Sequence, residues 1–349
     1  MNFASDNWAG AHPSIAAALV EHAAGFASAY GTSELDRKVE QRFSEIFGRE
    51  VAVYFVATGT AANALSMTAV ARPGGVAFVH REAHMMEDEC GAPEYFTGGA
   101  RLCPVDGALG RIDPDALDRA IRRYPAEFIH AGQPMAVSIT QATEIGTVYR
   151  PADIAAIAAV CRTHGLPLHM DGARFANALV SLGCTPAEMT WKNGVDLVSF
   201  GGTKNGCWCA EALVVLNPEI GRDLPFLRKR AAQLFSKSRF VAAQFDAYFV
   251  NDLWLETARH ANRMARSLAD AIAASSKLRL AWQPEANEVF AIMPMETFAA
   301  LQDAGAVFYE WHTPHGYAGV GKDETMARFV TSFATIDEDI NHMTSLLAS

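Results

Sequence analysis

Two stretches decide how this chain is read: Leu168-His169-Met170-Asp171-Gly172-Ala173-Arg174, and further along Ser199-Phe200-Gly201-Gly202-Thr203-Lys204-Asn205-Gly206. Each is a short apolar run that ends in glycine and a charged side chain. In the first, an acid closes the run and an arginine follows. In the second, a lysine lies in a glycine-flanked loop. Ligands of open α/β sheets bind beyond the carboxyl ends of the strands. An acid and a lysine at two such ends are therefore candidates for one site. The competing reading of Asp171 is a structural carboxylate that caps the next helix. Lysine normally occupies a solvated face, and an enclosed one is equipped to attack a carbonyl.

The surrounding pattern supports such a sheet. Strand-length apolar runs at Val51 to Ala57, Val76 to His80, Ala136 to Thr140, Leu166 to Met170, Val195 to Phe200 and Ala212 to Leu216 alternate with helical patterns. Helices are expected at Ala61 to Val70, at Pro114 to Arg123 with Asp113 as N-cap, and from Pro151. The last has Ile154, Ile157, Ala158 and Cys161 on its apolar face and Gly165 at its C-terminal cap. Strands alternating with helices give βαβ units and a mostly parallel sheet, an α/β fold. After about Val241 the character changes. One long helical stretch, Ala242 to Ala274, precedes strand-like pieces at Glu288 to Met293, Ala306 to Tyr309 and Ala327 to Phe333. The expected organisation is an N-terminal segment (1–20) contributing to the active site, a large domain (21–245) and a small C-terminal α+β domain (246–349).

Composition narrows the function. The 349 residues carry 29 Lys+Arg against 39 Asp+Glu, a net charge of −10, which argues against a dedicated nucleic-acid or anionic-membrane binder. No apolar run reaches the length of a membrane span. The start, Met1-Asn2-Phe3-Ala4-Ser5-Asp6, lacks the basic and apolar regions of a secretory signal. The six scattered cysteines form no C-x-x-C pair and read as free thiols of a cytoplasmic protein.

A third strand end, Thr58-Gly59-Thr60, feeds a helix whose N-terminus suits a phosphate; the plainer alternative is a turn with Thr60 as N-cap. A phosphate cradle, an acid and a lysine on three strand ends are together the equipment for pyridoxal 5'-phosphate. The cradle takes the phosphate, the lysine condenses with the aldehyde, and the carboxylate keeps the pyridine nitrogen protonated.

Here the chain resembles a known family. Asp171-Gly172-Ala173-Arg174 with Thr203-Lys204 is similar to the fold-type-I pyridoxal-phosphate enzymes, and within them to the threonine aldolase and β-eliminating lyase group. Ser5-Asp6-Asn7 resembles the family's Ser-Asp-Thr, Tyr30-Gly31 its Tyr-Gly, and Thr58-Gly59-Thr60 its Ser-Gly-Thr with Asn63 in step. Ala83-His84 with Glu89 resembles its Ser-His and later Glu, and Arg328-Phe329-Val330-Thr331 its Arg-Leu-Val-Thr. Gln141, within Ser138-Ile139-Thr140-Gln141-Ala142-Thr143-Glu144, stands where many threonine aldolases have a second histidine. That departure, with Thr203 before the lysine, looks like the low-specificity and phenylserine aldolase branch.

The resemblance implies roles. Lys204 joins the cofactor aldehyde, Asp171 pairs with the ring nitrogen, and Thr58, Gly59 and Thr60, assisted by Thr203, hold the phosphate. His84 stacks on the ring and moves protons; the base that takes the substrate's hydroxyl proton is either His84 or a bound water. Ser5, Arg174 and Arg328 fix the substrate carboxylate, for which the planar guanidinium fork is suited. Gln141 bonds the substrate hydroxyl or the cofactor's phenolic oxygen. Arg239 reaches a phosphate, from its own or a neighbouring subunit, and Tyr30 is a cofactor-side or partner-side residue. The expected reaction is cleavage of an L-3-hydroxy-α-amino acid to glycine and an aldehyde, in a homodimer or homotetramer with interfacial sites. A β-eliminating lyase and a non-catalytic cofactor-binding protein are the alternatives. No metal is expected.

Other motifs read as structure. Gly316-Tyr317-Ala318-Gly319-Val320-Gly321-Lys322-Asp323 nearly matches a phosphate-binding loop, but Asp323 replaces the required hydroxyl. His312-Thr313-Pro314-His315 reads as a loop without a nearby acid in sequence, Glu87-Asp88-Glu89 as a solvated helix face, and Cys207-Trp208-Cys209 as packing thiols in a strand.

Overall fold

The computed structural model describes residues 1–348. Seven strands form the main sheet: β1 (Ala52–Val56), β2 (Gly75–His80), β3 (Arg101–Val105), β4 (Gln133–Thr140), β5 (Leu168–Gly172), β6 (Leu197–Gly201) and β7 (Glu211–Val215). Their spatial order is β1-β7-β6-β5-β4-β2-β3. All neighbouring pairs from β6 to β3 are parallel, and β7 runs antiparallel to both β6 and β1. Helices cover the sheet, so its central strands are buried along their whole length and read as continuous rather than alternating apolar runs.

Phe43, on the Glu34–Phe47 helix, forms the centre of the core. Its ring lies 5.1 Å from Phe200 on β6 and 5.2 and 5.0 Å from Phe245 and Phe249 on the Arg239–Phe249 helix. Register places Thr140, Asp171 and Ser199 side by side at the carboxyl ends of β4, β5 and β6. Gly201 is required there: a Cβ on it would come within 2.5 Å of Ala173 O. Its absence lets the loops after β5 and β6 touch.

A second, antiparallel sheet has the order β10-β11-β9-β8: β8 (Arg279–Leu280), β9 (Glu288–Pro294), β10 (Tyr309–Trp311) and β11 (Glu324–Val330). Its apolar core joins Leu268 and Ile272 of the Leu253–Ala274 helix to Phe308, Phe329 and Phe3. Phe3 is carried in by the N-terminal segment, whose backbone bonds Val307 O (2.7 Å) and the Val330 N–H (2.8 Å).

The structure corrects several expectations. The single helix over Ala242 to Ala274 is two, Arg239–Phe249 and Leu253–Ala274. Asn251 and Asp252 between them take φ of 52° and 56°, a conformation these residue types tolerate. Both helices bury a face, so the apolar pattern runs on across the break. The strand expected at Ala306 to Tyr309 lies at Tyr309–Trp311, and that at Ala327 to Phe333 at Glu324–Val330. The helix after β1 starts at Gly59, and Thr58 rather than Thr60 is its cap, accepting the Ala61 N–H at 3.1 Å. Cys207-Trp208-Cys209 is loop, with Trp208 exposed.

Candidate active site

The carboxyl ends of the main sheet open into a cleft of about 280 Å³ lined by Asn7, Thr58, Gly59, Thr60, Asn63, His84, Glu89, Asp171, Ala173, Thr203, Lys204 and Glu211. A larger depression, about 1270 Å³, lies at the opposite ends of the strands, against Pro134, Pro167 and Asp196, and contains none of these groups. Strand-end chemistry, not size, picks out the smaller one.

The Gly59–Ala69 helix begins at the cleft. The N–H groups of Gly59 and Thr60 have no acceptor within the helix, and no atom stands within 4 Å of where a Gly59 side chain would begin. Asp171, buried at the end of β5, accepts the Ala173 N–H (3.0 Å) and Asn63 Nδ2 (2.8 Å). The same Asn63 nitrogen donates to Glu89 Oε1 (2.7 Å), which also bonds His84 Nδ1 at 2.9 Å. One amide thus joins Asp171 to the Glu89–His84 pair. The bond to Glu89 raises the His84 pKa, with burial opposing it and the charges of Glu144 and Asp171 adding to it.

Lys204 lies in the short 3-10 helix after β6, with no hydrogen-bond or ion-pair partner among the described residues. Beside it Glu211, on the adjoining end of β7, is pushed up to about 7 by burial, against the Thr203 hydrogen bonds and the Lys204 charge. Thr203 N–H donates to Glu211 Oε1 at 3.3 Å.

The remaining sequence-derived residues divide. Arg328, on β11, is only partly tied: Nη2 reaches Ala4 O at 3.5 Å, Nη1 stands 3.8 Å from Glu288, and Nε is buried without a partner. Its guanidinium lies 4.1 Å over the Trp311 ring. Arg174 is buried and its fork is already engaged, with Nε and Nη2 donating to Asp6 (2.8 and 3.1 Å) and Nη1 at 3.1 Å from Glu288. Burial works to raise Asp6, but the Arg174 and Lys204 charges and the bonds from Arg174 and Asn287 hold it below the usual carboxylate value.

Arg174 and Arg328 stand outside the cleft lining, and so do four further expected residues. Ser5 Oγ accepts the Asn7 N–H, and Ser5 lines a separate depression with Asn2, Trp8 and Ser332. The fully buried Gln141 has both ends of its amide on the Tyr149 backbone, each at 2.9 Å, which corrects its expected role toward hydroxyl or phenolic oxygen. Arg239 bonds the carbonyls of Ala24 and Gly25 on an exposed surface, and Tyr30 is half exposed beneath the Lys229 ammonium. Neither reaches this cleft from its own chain.

Sequence reasoning missed Glu211 and Glu288 and gave Asp6 and Asn7 no role beyond their place in a family motif; Glu89, matched to the family's later Glu, was also read as part of a solvated face although it is 4 % exposed. Only the step from His84 to Glu89 was a usable signal; the other contacts span distant parts of the chain. His312 does have an acidic partner, remote in sequence: Glu82 Oε2 at 2.7 Å from Nε2.

Chemically, the cleft combines a helix N-terminus for an anion, a free amine, a hydrogen-bonded carboxylate and an imidazole. Asn63 Oδ1 and Glu89 Oε2 are buried beside it without partners. This donor set fits pyridoxal phosphate: Thr58, Gly59 and Thr60 for the phosphate, Lys204 for the aldehyde, Asp171 for the ring nitrogen and His84 beside the ring.

Comparison with known proteins agrees. The model of the beta-eliminating lyase family matches residues 2–296. A low specificity L-threonine aldolase of Pseudomonas aeruginosa is 40% identical over 98% of this chain and 95% of its own length. One from Pseudomonas sp. strain NCIMB 10558 is 38% identical over 96% and 95%. A threonine aldolase of Leishmania major superposes with a TM-score of 0.92 at 27% identity, covering 99% of this chain and 98% of that one. The chain therefore belongs to the beta-eliminating lyase family, and over nearly its whole length it is similar to low specificity L-threonine aldolases.

Proposed function

We propose that the chain is a pyridoxal-phosphate-dependent aldolase that splits the Cα–Cβ bond of L-threonine and L-allo-threonine to glycine and an aldehyde, and that it also accepts L-phenylserine. The observation that carries this reading is the convergence of Lys204, Asp171, His84 and the Thr58–Thr60 helix start on one cleft. When bound, the cofactor supplies an electron sink for the bond that breaks.

The chain's own residues do the rest. Asp171, held by Ala173 and Asn63, supplies an anion that keeps a ring-nitrogen proton in place. His84, oriented by Glu89 and still 32 % exposed at its side chain, takes the hydroxyl proton directly or through a water. Glu211 can hold a proton beside Lys204, which must exchange one as it binds and releases substrate. Arg328, with its unpartnered Nε, is the open carboxylate donor, and Arg174 backs the same corner through Glu288. Fixing the carboxylate selects which Cα bond stands perpendicular to the ring and therefore breaks.

The small sheet and its separate core support a division near residue 245 into a large and a small domain. Tyr30, half exposed, and Arg239, partly exposed, both lie away from their own cleft and support a homodimer or homotetramer in which they serve a neighbouring site. Six free cysteines suit a cytoplasmic location.

The test is product analysis with L-threonine, L-allo-threonine and L-phenylserine. Glycine and the matching aldehyde should appear in equal amounts. Ammonia and a keto acid without glycine would establish β-elimination instead.

A further inference from the structure

The corner that receives the substrate carboxylate already contains two carboxylates. Asp6 comes from the N-terminal segment and Glu288 from the start of β9, and both are essentially inaccessible to solvent. They are bound very differently. Asp6 accepts Arg174 Nε, Arg174 Nη2 and Asn287 Nδ2 at 2.8, 3.1 and 3.1 Å. Neither oxygen of Glu288 accepts an aligned hydrogen bond within the described residues. It is held by charge alone, with Arg174 Nη1 at 3.1 Å and Arg328 Nη1 at 3.8 Å.

We propose that Glu288 is the resident occupant of the carboxylate clamp: it balances Arg174 and Arg328 while the site is open, and it takes up one proton when the carboxylate of an amino acid binds. This rests on the reading that Arg328 and its corner bind that carboxylate. The charge count explains why. Arg174 and Arg328 against Asp6 and Glu288 sum to zero. Two further charges reach the corner and offset each other: Glu144, from the loop after β4, acts on Glu288, and Lys204 acts on Asp6. An incoming carboxylate makes the corner net negative away from water, which is costly. A proton relieves it, and the carboxylate without hydrogen bonds loses least by accepting one. Burial accordingly pushes Glu288 up to about 7, against the attraction of Arg174 and Arg328. Asp6, in contrast, stays ionised and keeps Arg174 in place. Glu288 is in this sense a specificity residue: it makes the affinity for carboxylate substrates depend on proton supply.

The test is glycine binding to cofactor-loaded enzyme, followed by the cofactor's absorbance, in wild type and Glu288→Gln between pH 6 and pH 8. The ratio of the two dissociation constants cancels the titrations of glycine and cofactor common to both. The ratio of wild type to Glu288→Gln should rise about tenfold across this range, nearly all of it above pH 7, where Glu288 is ionised in the open site and must take up its proton on binding. A constant ratio overturns the proposal. Arg328→Gln separates this from the underlying reading. Weakened glycine binding there, with a constant Glu288→Gln ratio, removes only the proton linkage; unchanged binding removes the carboxylate site itself. Should Glu288→Gln not accumulate, calorimetry of the wild type with 3-hydroxybutyrate, which has no amine, serves in buffers of different ionisation enthalpy. Near pH 8 about one proton should be taken up per molecule bound; no uptake overturns the proposal.

Discussion

At the residue scale, the site depends on a few side chains whose ionisation is set by immediate neighbours. His84 is the clearest case. Its raised pKa comes chiefly from the hydrogen bond to Glu89, so Glu89→Gln should lower it. A base works when deprotonated. The acid limb of the kcat/KM profile should therefore move to lower pH in Glu89→Gln, with reduced kcat because the ring is less firmly held. An unmoved limb would assign it to another group. Lys204, Asp171 and His84 were legible in the sequence because each stands at a strand end beside glycine or a helix start. Asp6, Glu211 and Glu288 were not, because what brings them to the site is burial against groups far away in the chain: Arg174 for the first, Lys204 for the second, both arginines for the third. Gln141 was misread for the same reason. It follows a strand end beside Asp171, but its amide is matched to the Tyr149 backbone.

At the element scale, the chain reads well where burial is symmetrical. Strands β2, β5, β6 and β7 are covered on both sides and stand out as apolar runs. The helix break at Asn251 and Asp252 was hidden because both flanking helices bury a face. The aromatic cluster around Phe43 ties the Glu34–Phe47 helix to β6, the strand that delivers Lys204. Phe43→Ala should cost about 3–5 kcal/mol in denaturant unfolding of the cofactor-free protein. A loss below about 1 kcal/mol would mean that the ring's packing contributes far less than its burial implies.

At the scale of the whole molecule, the active site is a meeting of parts rather than a feature of one sheet. In the proposed mechanism the main sheet supplies the cofactor groups and β9 and β11 supply Glu288 and Arg328, while the N-terminal segment crosses between them with Phe3 in one core and Asp6 on Arg174. That mechanism ties substrate binding to the position of the second sheet. The proposed assembly adds a further level: Phe26 and Arg239 line one surface depression, and Tyr30 is half exposed. Sedimentation should show a dimer or tetramer, and a monomer with full activity would leave these residues without a role in catalysis.

The account depends above all on which amine carries the cofactor. Borohydride reduction of the yellow enzyme, followed by peptide mapping, fixes the cofactor to its point of attachment. The label should fall on the peptide containing Lys204, and Lys204→Ala should be neither labelled nor active. Labelling at another lysine, or turnover that survives without Lys204, would contradict the mechanism at its root.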